Sequence, residues 1–236
     1  MSRHLKRFSA PSHWGLETKV ATFATKPSPG PHSATLGIPL LGIIRDFLGY
    51  ARNAREAKKI LENGDIEIDH VVRKSHKYAA GLMDVISIQK TGENFRLLPS
   101  DKGLRLQPIT EKEAKTKLVK ISGKSIIRGG KVQLNLHDGT NMEFDAKDGK
   151  AYSVGDVIQI SIPERSVKDH LKIEAGNMAF VYKGKNSGLI GTIGEVQKGE
   201  GIQPNLINLS VDGSQFQTLE EYIFVVGKKS PKIKVD

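Results

Sequence analysis

From about Gly92 onward turn signals recur along the chain: TGEN, SDKG, HDGT, KDGK, SVGD and VDGS. Short apolar-alternating runs lie between them, among them KVQLNL, DVIQISI, MAFVY and LINLSV. This spacing leaves little room for helices. It predicts many short antiparallel strands, as in β-barrels or sandwiches. One helical piece fits at 110–117, where Thr110 and Glu113 stand three apart as in a capping box. The IEAGN turn near residue 175 is a reasonable start for a last domain.

The stretch before Gly92 follows another rule. Leu40, Ile43, Ile44, Phe47 and Leu48 fall at helical spacings, Pro39 suits a first turn and Gly49 a stop. A second helix is predicted after Asn53, a plausible N-cap with Glu56 three residues on. Ala54, Ala57, Ile60 and Leu61 form its apolar side, and Asn63-Gly64 its stop. Ile66 and Ile68 then alternate with acids, the pattern of a half-buried strand. Residues 38–90 thus read as helix, helix and a small sheet.

Residues 1–35 show neither pattern. Arg3, Lys6, Arg7, Lys19 and Lys26 face a single acid, Glu17, and Pro11, Pro27, Pro29 and Pro31 favour extended backbone. Apolar residues are too sparse for a core, so a basic arm that orders on a partner is expected. Trp14, the one tryptophan, favours an arm over a free tail, because an uncovered indole is costly in solvent.

The whole chain of 236 residues suits two or three small domains. Hydrophobic residues make up 38%, enough for folded cores, but aromatics only 6%, so those cores lean on Ile, Leu and Val. A net charge of +10 points to a polyanionic partner, since counterion release drives such binding. Absence of cysteine excludes a disulfide framework and fits a reducing compartment. The N-terminal stretch lacks the apolar core of a signal peptide. The apolar run LGIPLLGIIRDFLGY is broken by Arg45 and Asp46 and is too short to cross a bilayer. A soluble, cytoplasmic protein is expected.

Two basic groups fall within the helical module. Arg52, Arg55, Lys58 and Lys59 come within two turns, with Arg55 and Lys59 on one face. Arg73, Lys74 and Lys77 follow in the next strand and loop. Taken alone, the helix cluster is an ordinary solvated face; two clusters in one small module favour a phosphate backbone. A third candidate is AGNMAFVYKGKNSGLIGTIGEV, in which Lys183, Gly184, Lys185, Asn186, Ser187 and Gly188 form a basic glycine-rich loop between strands. Glycines there admit close backbone approach to a ligand, although a plain hairpin loop has the same composition.

The stretch PLLGIIRDFLGYARNAREAKKILENGDIEIDHVVRKSHKYAAGLMDVISI resembles the small RNA-binding module of ribosomal protein S-four and of several RNA-modifying enzymes. The segment 175–196 resembles the KOW motif of RNA-binding barrels. With HLKRFSAPSHWGL, KPSPGPH, LNLHDG and YIFVVGK, the resemblance extends in order over nearly the whole chain to the archaeal and eukaryotic-type ribosomal protein S-four family of the small subunit. The resemblance implies a multidomain α+β chain. Its parts would be an extended basic arm (1–37), a two-helix-plus-sheet RNA-binding module (38–92), a β-rich central domain (93–172) and an SH3-like KOW barrel with tail (173–236).

The implied function is structural: binding and helping to fold rRNA, with small-subunit rRNA and neighbouring ribosomal proteins as partners and one copy per small subunit. The implied RNA-binding residues are Arg3, Lys6, Arg7, Trp14 and Lys26 of the arm; Arg52, Arg55, Lys58, Lys59, Arg73, Lys74 and Lys77 of the module; and Lys183, Gly184, Lys185, Asn186 and Gly188 of the loop. An RNA-modifying enzyme, or a transcription or translation factor, using the same modules is the alternative.

No catalytic constellation supports an enzyme. Gly123-Lys124-Ser125 resembles the end of a P-loop, but Leu118 occupies the place of its first glycine. His4, His13 and His32 show no metal-ligand spacing, and no cysteine accompanies them. His137 and Asp138 fit a hairpin turn. No cofactor, metal, membrane or small-molecule substrate is expected.

Overall fold

The structure is a computed structural model that describes residues 4–17, 19–101, 103–199, 203–211, 213–228 and 230–234. It is mostly β with few helices, and it divides into two compact units. One comprises residues 1–98 and 102–115, the other residues 99–101 and 116–236. No helix among the described residues is long and apolar enough to cross a membrane.

In the N-terminal unit, β1 (Leu5–Lys6) pairs antiparallel with β2 (Phe23–Ala24) to form a short ribbon. Strand β3 (Ile38–Pro39) precedes α1 (Leu40–Gly42), which continues as a π-helical turn over Ile43–Phe47. The first helix thus begins at Leu40, the first residue of its apolar spacing, with Pro39 as its N-cap rather than inside its first turn. The cause is tertiary: Ile38 and Pro39 are paired with Ala80 and Ala79 of β6 (Ala79–Ala80) in a two-stranded sheet. Helix α2 (Ala54–Asn63) matches its sequence signals closely. The Asn53 side chain accepts hydrogen bonds from the Arg55 and Glu56 amides, and Gly64 ends the helix at φ +85°. Glu56 reaches one residue further back than a standard capping box, accepting the Arg52 amide at 2.9 Å. Ala57 and Leu61 are buried, and Ala54 and Ile60 half-buried.

The remaining strands here are β4 (Ile66–Ile68), β5 (Val71–Val72), β7 (Val85–Ile88), β8 (Glu93–Ser100, whose last two residues are counted with the other unit) and β9 (Gly103–Ile109), in the order β5-β4-β7-β8-β9. Then α3 (Glu111–Ala114) follows with both halves of the Thr110–Glu113 capping box in place, though it spans a single turn rather than 110–117.

The arm departs from expectation. Its apolar residues build no core of their own but join that of the module. Trp14 is only 2% exposed and packs with Ile38, Leu40, Ile43, Ile44 and Leu61, while Leu5, Ala10, Leu16 and Ala24 lie against the same cluster. The indole Nε1–H donates to the Gly37 carbonyl at 2.8 Å. A sparse apolar sequence therefore still docks when the neighbouring module leaves a surface for it.

The second unit contains β10 (Thr116–Ile126), β11 (Val132–Leu136), β12 (Asn141–Phe144), α4 (Ala146–Gly149), β13 (Val157–Ser161) and β14 (Val167–Leu171), with sheet order β12-β11-β10-β13-β14. Val119, Ile121, Leu134, Ile158 and Ile160 fill its interior. Beyond them, β15 (Met178–Val181), β16 (Ile190–Gln197), β17 (Leu206–Val211), β18 (Ser214–Leu219) and β19 (Ile223–Gly227) form an antiparallel sheet in the order β18-β17-β16-β15-β19. The first strand thus lies between its sequence successor and the last strand. Lys120 of β10 is buried, and its Nζ donates to the carbonyls of Glu220, Glu221 and Ile223 at 3.2, 2.9 and 2.7 Å, tying β10 to the approach of β19. Burial pulls its pKa down to about 8, against the opposing pull of the Glu220 and Glu221 carboxylates.

Candidate nucleic-acid interface

The geometry of α2 separates its residues as the sequence requires. Ala57 and Leu61 face the core, and Arg52, Arg55, Lys58 and Lys59 are exposed. Glu56, a potential counter-charge, is committed to the helix start through the Arg52 amide and the Asn53 side-chain amide. Arg55, Lys58 and Lys59 border a shallow groove along the outer helix surface, with Glu56 and Glu62 beside them.

The loop after β5 converges on this face. Lys74 and Lys77 are exposed, whereas Arg73 is half-buried with its guanidinium 4.6 Å above the Tyr78 ring. His76 reports the convergence electrostatically. Burial, then the charges of Lys58 and Lys77, push its pKa below the ordinary histidine value, while Glu62 opposes them. Lys58 of the helix and Lys77 of the loop therefore lie close to one imidazole. The arm joins the same loop, since the amide and hydroxyl of Ser28 both donate to the Lys77 carbonyl, at 2.9 and 3.2 Å.

Other sequence-predicted residues are placed less uniformly. Lys6 and Lys26 are exposed and Arg7 is half-buried, with its Nε–H donated to the Glu17 carbonyl at 3.1 Å. Arg3 lies outside the described residues. Trp14 is a correction: its ring is spent on packing and its N–H on Gly37, so it offers no face to RNA. In the C-terminal unit, Lys183, Gly184 and Lys185 are exposed and Asn186 and Gly188 half-buried, between β15 and β16. Gly184 has φ +91° and sits against the Tyr222 ring, over which Lys183 Nζ stands at 5.1 Å. A Cβ on Gly188, at φ +94°, would press on the backbone of Ser100 and Asp101. This glycine serves packing as well as loop shape.

One basic element escaped sequence reading. The hairpin joining β10 to β11 exposes Lys124, Arg128 and Lys131 around a tip turned by Gly129 and Gly130, with Ile126 80% exposed. These cations share no helical spacing. The available signal was the acid-free run from Thr116 to His137. Among the described residues no group of three or more histidine, aspartate or glutamate side chains is arranged to hold a metal ion.

An exposed basic helix face with converging loop cations is suited to a phosphate backbone, which needs charge rather than shape. Comparison with known proteins gives this surface its context. The model of the ribosomal family S4e matches residues 91–167, and the RS4NT (NUC023) domain matches residues 1–35. The small ribosomal subunit protein eS4 of Methanocaldococcus jannaschii is 43% identical over 240 residues, spanning 99% of this chain and 97% of that protein. That of Aeropyrum pernix is 42% identical over 240 residues, spanning 99% and 95%. The crystal structure of 30S ribosomal protein S4e from Thermoplasma acidophilum superposes with a TM-score of 0.72 at 34% identity, spanning 82% of this chain and 96% of that one. The chain belongs to the ribosomal S4e family.

Proposed function

We propose that this protein is a structural constituent of the small ribosomal subunit, in the cytoplasm, that binds rRNA and helps it fold. It acts as a binding component and not as an enzyme. The observation that carries the reading is the exposure of Arg55, Lys58 and Lys59 along one outer groove of α2, with Lys74 and Lys77 exposed on the loop that follows β5, which places positive charge on the surface of a folded module. Its partners are small-subunit rRNA and neighbouring ribosomal proteins, with one copy in each subunit. RNA contact runs through Lys6, Arg7 and Lys26, through the cations of α2 and of the 73–77 loop, and through Lys183, Lys185 and the glycine-rich loop holding them. The four-part division at residues 37, 92 and 172 is part of this proposal. So is the reading of residues 173–236 as an SH3-like barrel of KOW type, supported by the strand order β18-β17-β16-β15-β19 and the basic loop between β15 and β16.

The test is the salt dependence of RNA binding. Replacing Arg55 and Lys59 by Gln keeps helix propensity and removes two charges. Folding should be unchanged, while affinity for duplex RNA falls regardless of sequence. The slope of log affinity against log salt should shrink by about 1.8, taking about 0.9 per phosphate as for B-DNA. An unchanged slope with normal affinity would show that this helix face does not meet phosphate.

A further inference from the structure

Both phenylalanines exposed among the large hydrophobics of the described residues lie in the arm: Phe8 at 85% and Phe23 at 56%, with Val20 at 75% between them in sequence. Single exposed apolar residues need no explanation, but grouped ones do. The β1–β2 ribbon sorts its faces. Leu5 and Ala24 turn to the core, whereas Lys6 and Phe23, directly opposite each other across the ribbon, turn outward. The His4 ring stands 5.6 Å from Phe23 at a 50° tilt. Val20 and Phe23 then form one wall of a groove of about 370 Å³, rimmed by Arg7, Glu17, Arg45 and Asp46.

The charges of that rim decide what the groove suits. Arg45 is locked to Asp46 by a two-pronged fork at 2.7 and 2.9 Å. Arg7 is oriented by its bond to the Glu17 carbonyl, and the Glu17 carboxylate is the other acid of the rim. Two cations and two acids leave the groove close to neutral, so a phosphate gains little there. A nucleobase has an aromatic face to lay on Phe23 and edge donors and acceptors for the rim. The volume is in the range of small-ligand sites, roughly 300–1,000 Å³. Lys6 and Lys19, exposed nearby in sequence, supply charge for the phosphates on either side.

We propose that this groove captures one unpaired nucleobase of RNA, stacked on Phe23, so that the arm recognises an interruption in a helix rather than the helix itself. The proposal rests on the RNA-binding reading given above. It adds a distinct site with distinct chemistry, because stacking on aromatic side chains tolerates any base, whereas the contacts of the helix face are made to phosphate and act through released counterions.

The experiment uses the full chain and two RNA hairpins, one fully paired and one carrying a single bulged 2-aminopurine, with affinity from anisotropy and stacking from 2-aminopurine emission. Wild type should prefer the bulged RNA by about 10-fold, within the range of one stacked base. Phe23→Ala should lose that preference and the emission change while keeping its affinity for the paired hairpin. Phe23→Tyr should retain both. No preference in the wild type, or a preference that survives Phe23→Ala, overturns the site and leaves the groove to a protein neighbour. The RNA-binding reading fails separately, by an Arg55 and Lys59 replacement that leaves the salt slope of the paired hairpin unchanged. If neither hairpin binds, both are overturned.

Discussion

His32 and Asp84 meet as a buried pair, Nε2 to Oδ2 at 2.9 Å, and the same Asp84 oxygen accepts the Gly81 amide at 2.8 Å. The two residues are 52 apart in sequence, and their contact fastens the end of the arm to the module. Gly81 completes the fit, because a Cβ there would collide with the imidazole ring.

Asp84→Ala leaves the Gly81 amide and the His32 ring without this carboxylate in a buried site. The expected cost is about 2–4 kcal/mol. The single Trp14 provides a local probe. Its emission should be blue-shifted in wild type and should move to the red in Asp84→Ala and Gly81→Val if the arm lifts. Equal hydrogen-exchange protection of residues 10–16 in wild type and variants would show that His32 does not hold the arm.

Lys117 and Asp138 form a second buried pair at 3.1 Å, with side chains 1% and 7% exposed. Asp138 also accepts the Thr140 amide and hydroxyl at 3.0 and 2.6 Å, which fixes the HDGT hairpin turn expected from sequence. Burial alone would raise the Asp138 carboxyl, but Lys117, Thr140 and His137 together hold it below the usual carboxylate range. A carboxyl depressed in the folded state contributes stability above its unfolded pKa, near 3.9, and loses it as pH falls through the lower folded value. Lys117→Met strands the carboxylate and should cost about 3–5 kcal/mol at pH 7. The gap between wild type and Lys117→Met in urea unfolding should narrow below about pH 4. A gap independent of pH would assign the loss to packing.

What could be read in advance follows from range. Asn53, Glu56 and Gly64 act on neighbours within one helix, and Thr110 acts on Glu113 three residues away, so both helix starts were legible. The recurring turn residues likewise announced the strands. The burial of Trp14 is not legible in its own segment, because the core it joins, with Ile38 to Leu61, belongs to another one, and a scarcity of apolar residues says nothing about a borrowed core. The same holds for Lys120, whose acceptors lie 100 to 103 residues away. The basic helix face was visible through its spacing, but its convergence with Lys77 on His76 needed the fold. The hairpin of Lys124, Arg128 and Lys131 was hidden for a related reason: cations at a strand turn share no helical period, and only chain reversal brings Lys124 and Lys131 to one end.

His76 offers a direct view of where phosphate binds. In the free protein, burial and the charges of Lys58 and Lys77 hold its pKa below about 6.5, the ordinary value. Phosphates bridging Lys58 and Lys77 would cancel that repulsion and add attraction, so the pKa should rise in the complex. A complex that binds protons more readily than the free protein gains affinity as pH falls. Binding of duplex RNA by wild type should therefore tighten between pH 7.5 and 5.5, and His76→Gln should lose that part of the dependence while keeping its affinity at pH 7.5. Titration of the His76 imidazole by NMR, with and without RNA, gives the shift itself. An imidazole that titrates identically in both states would place the phosphates away from Lys58 and Lys77, and the contact would then have to be sought at Arg52, just before α2, and at Arg55 and Lys59 on it.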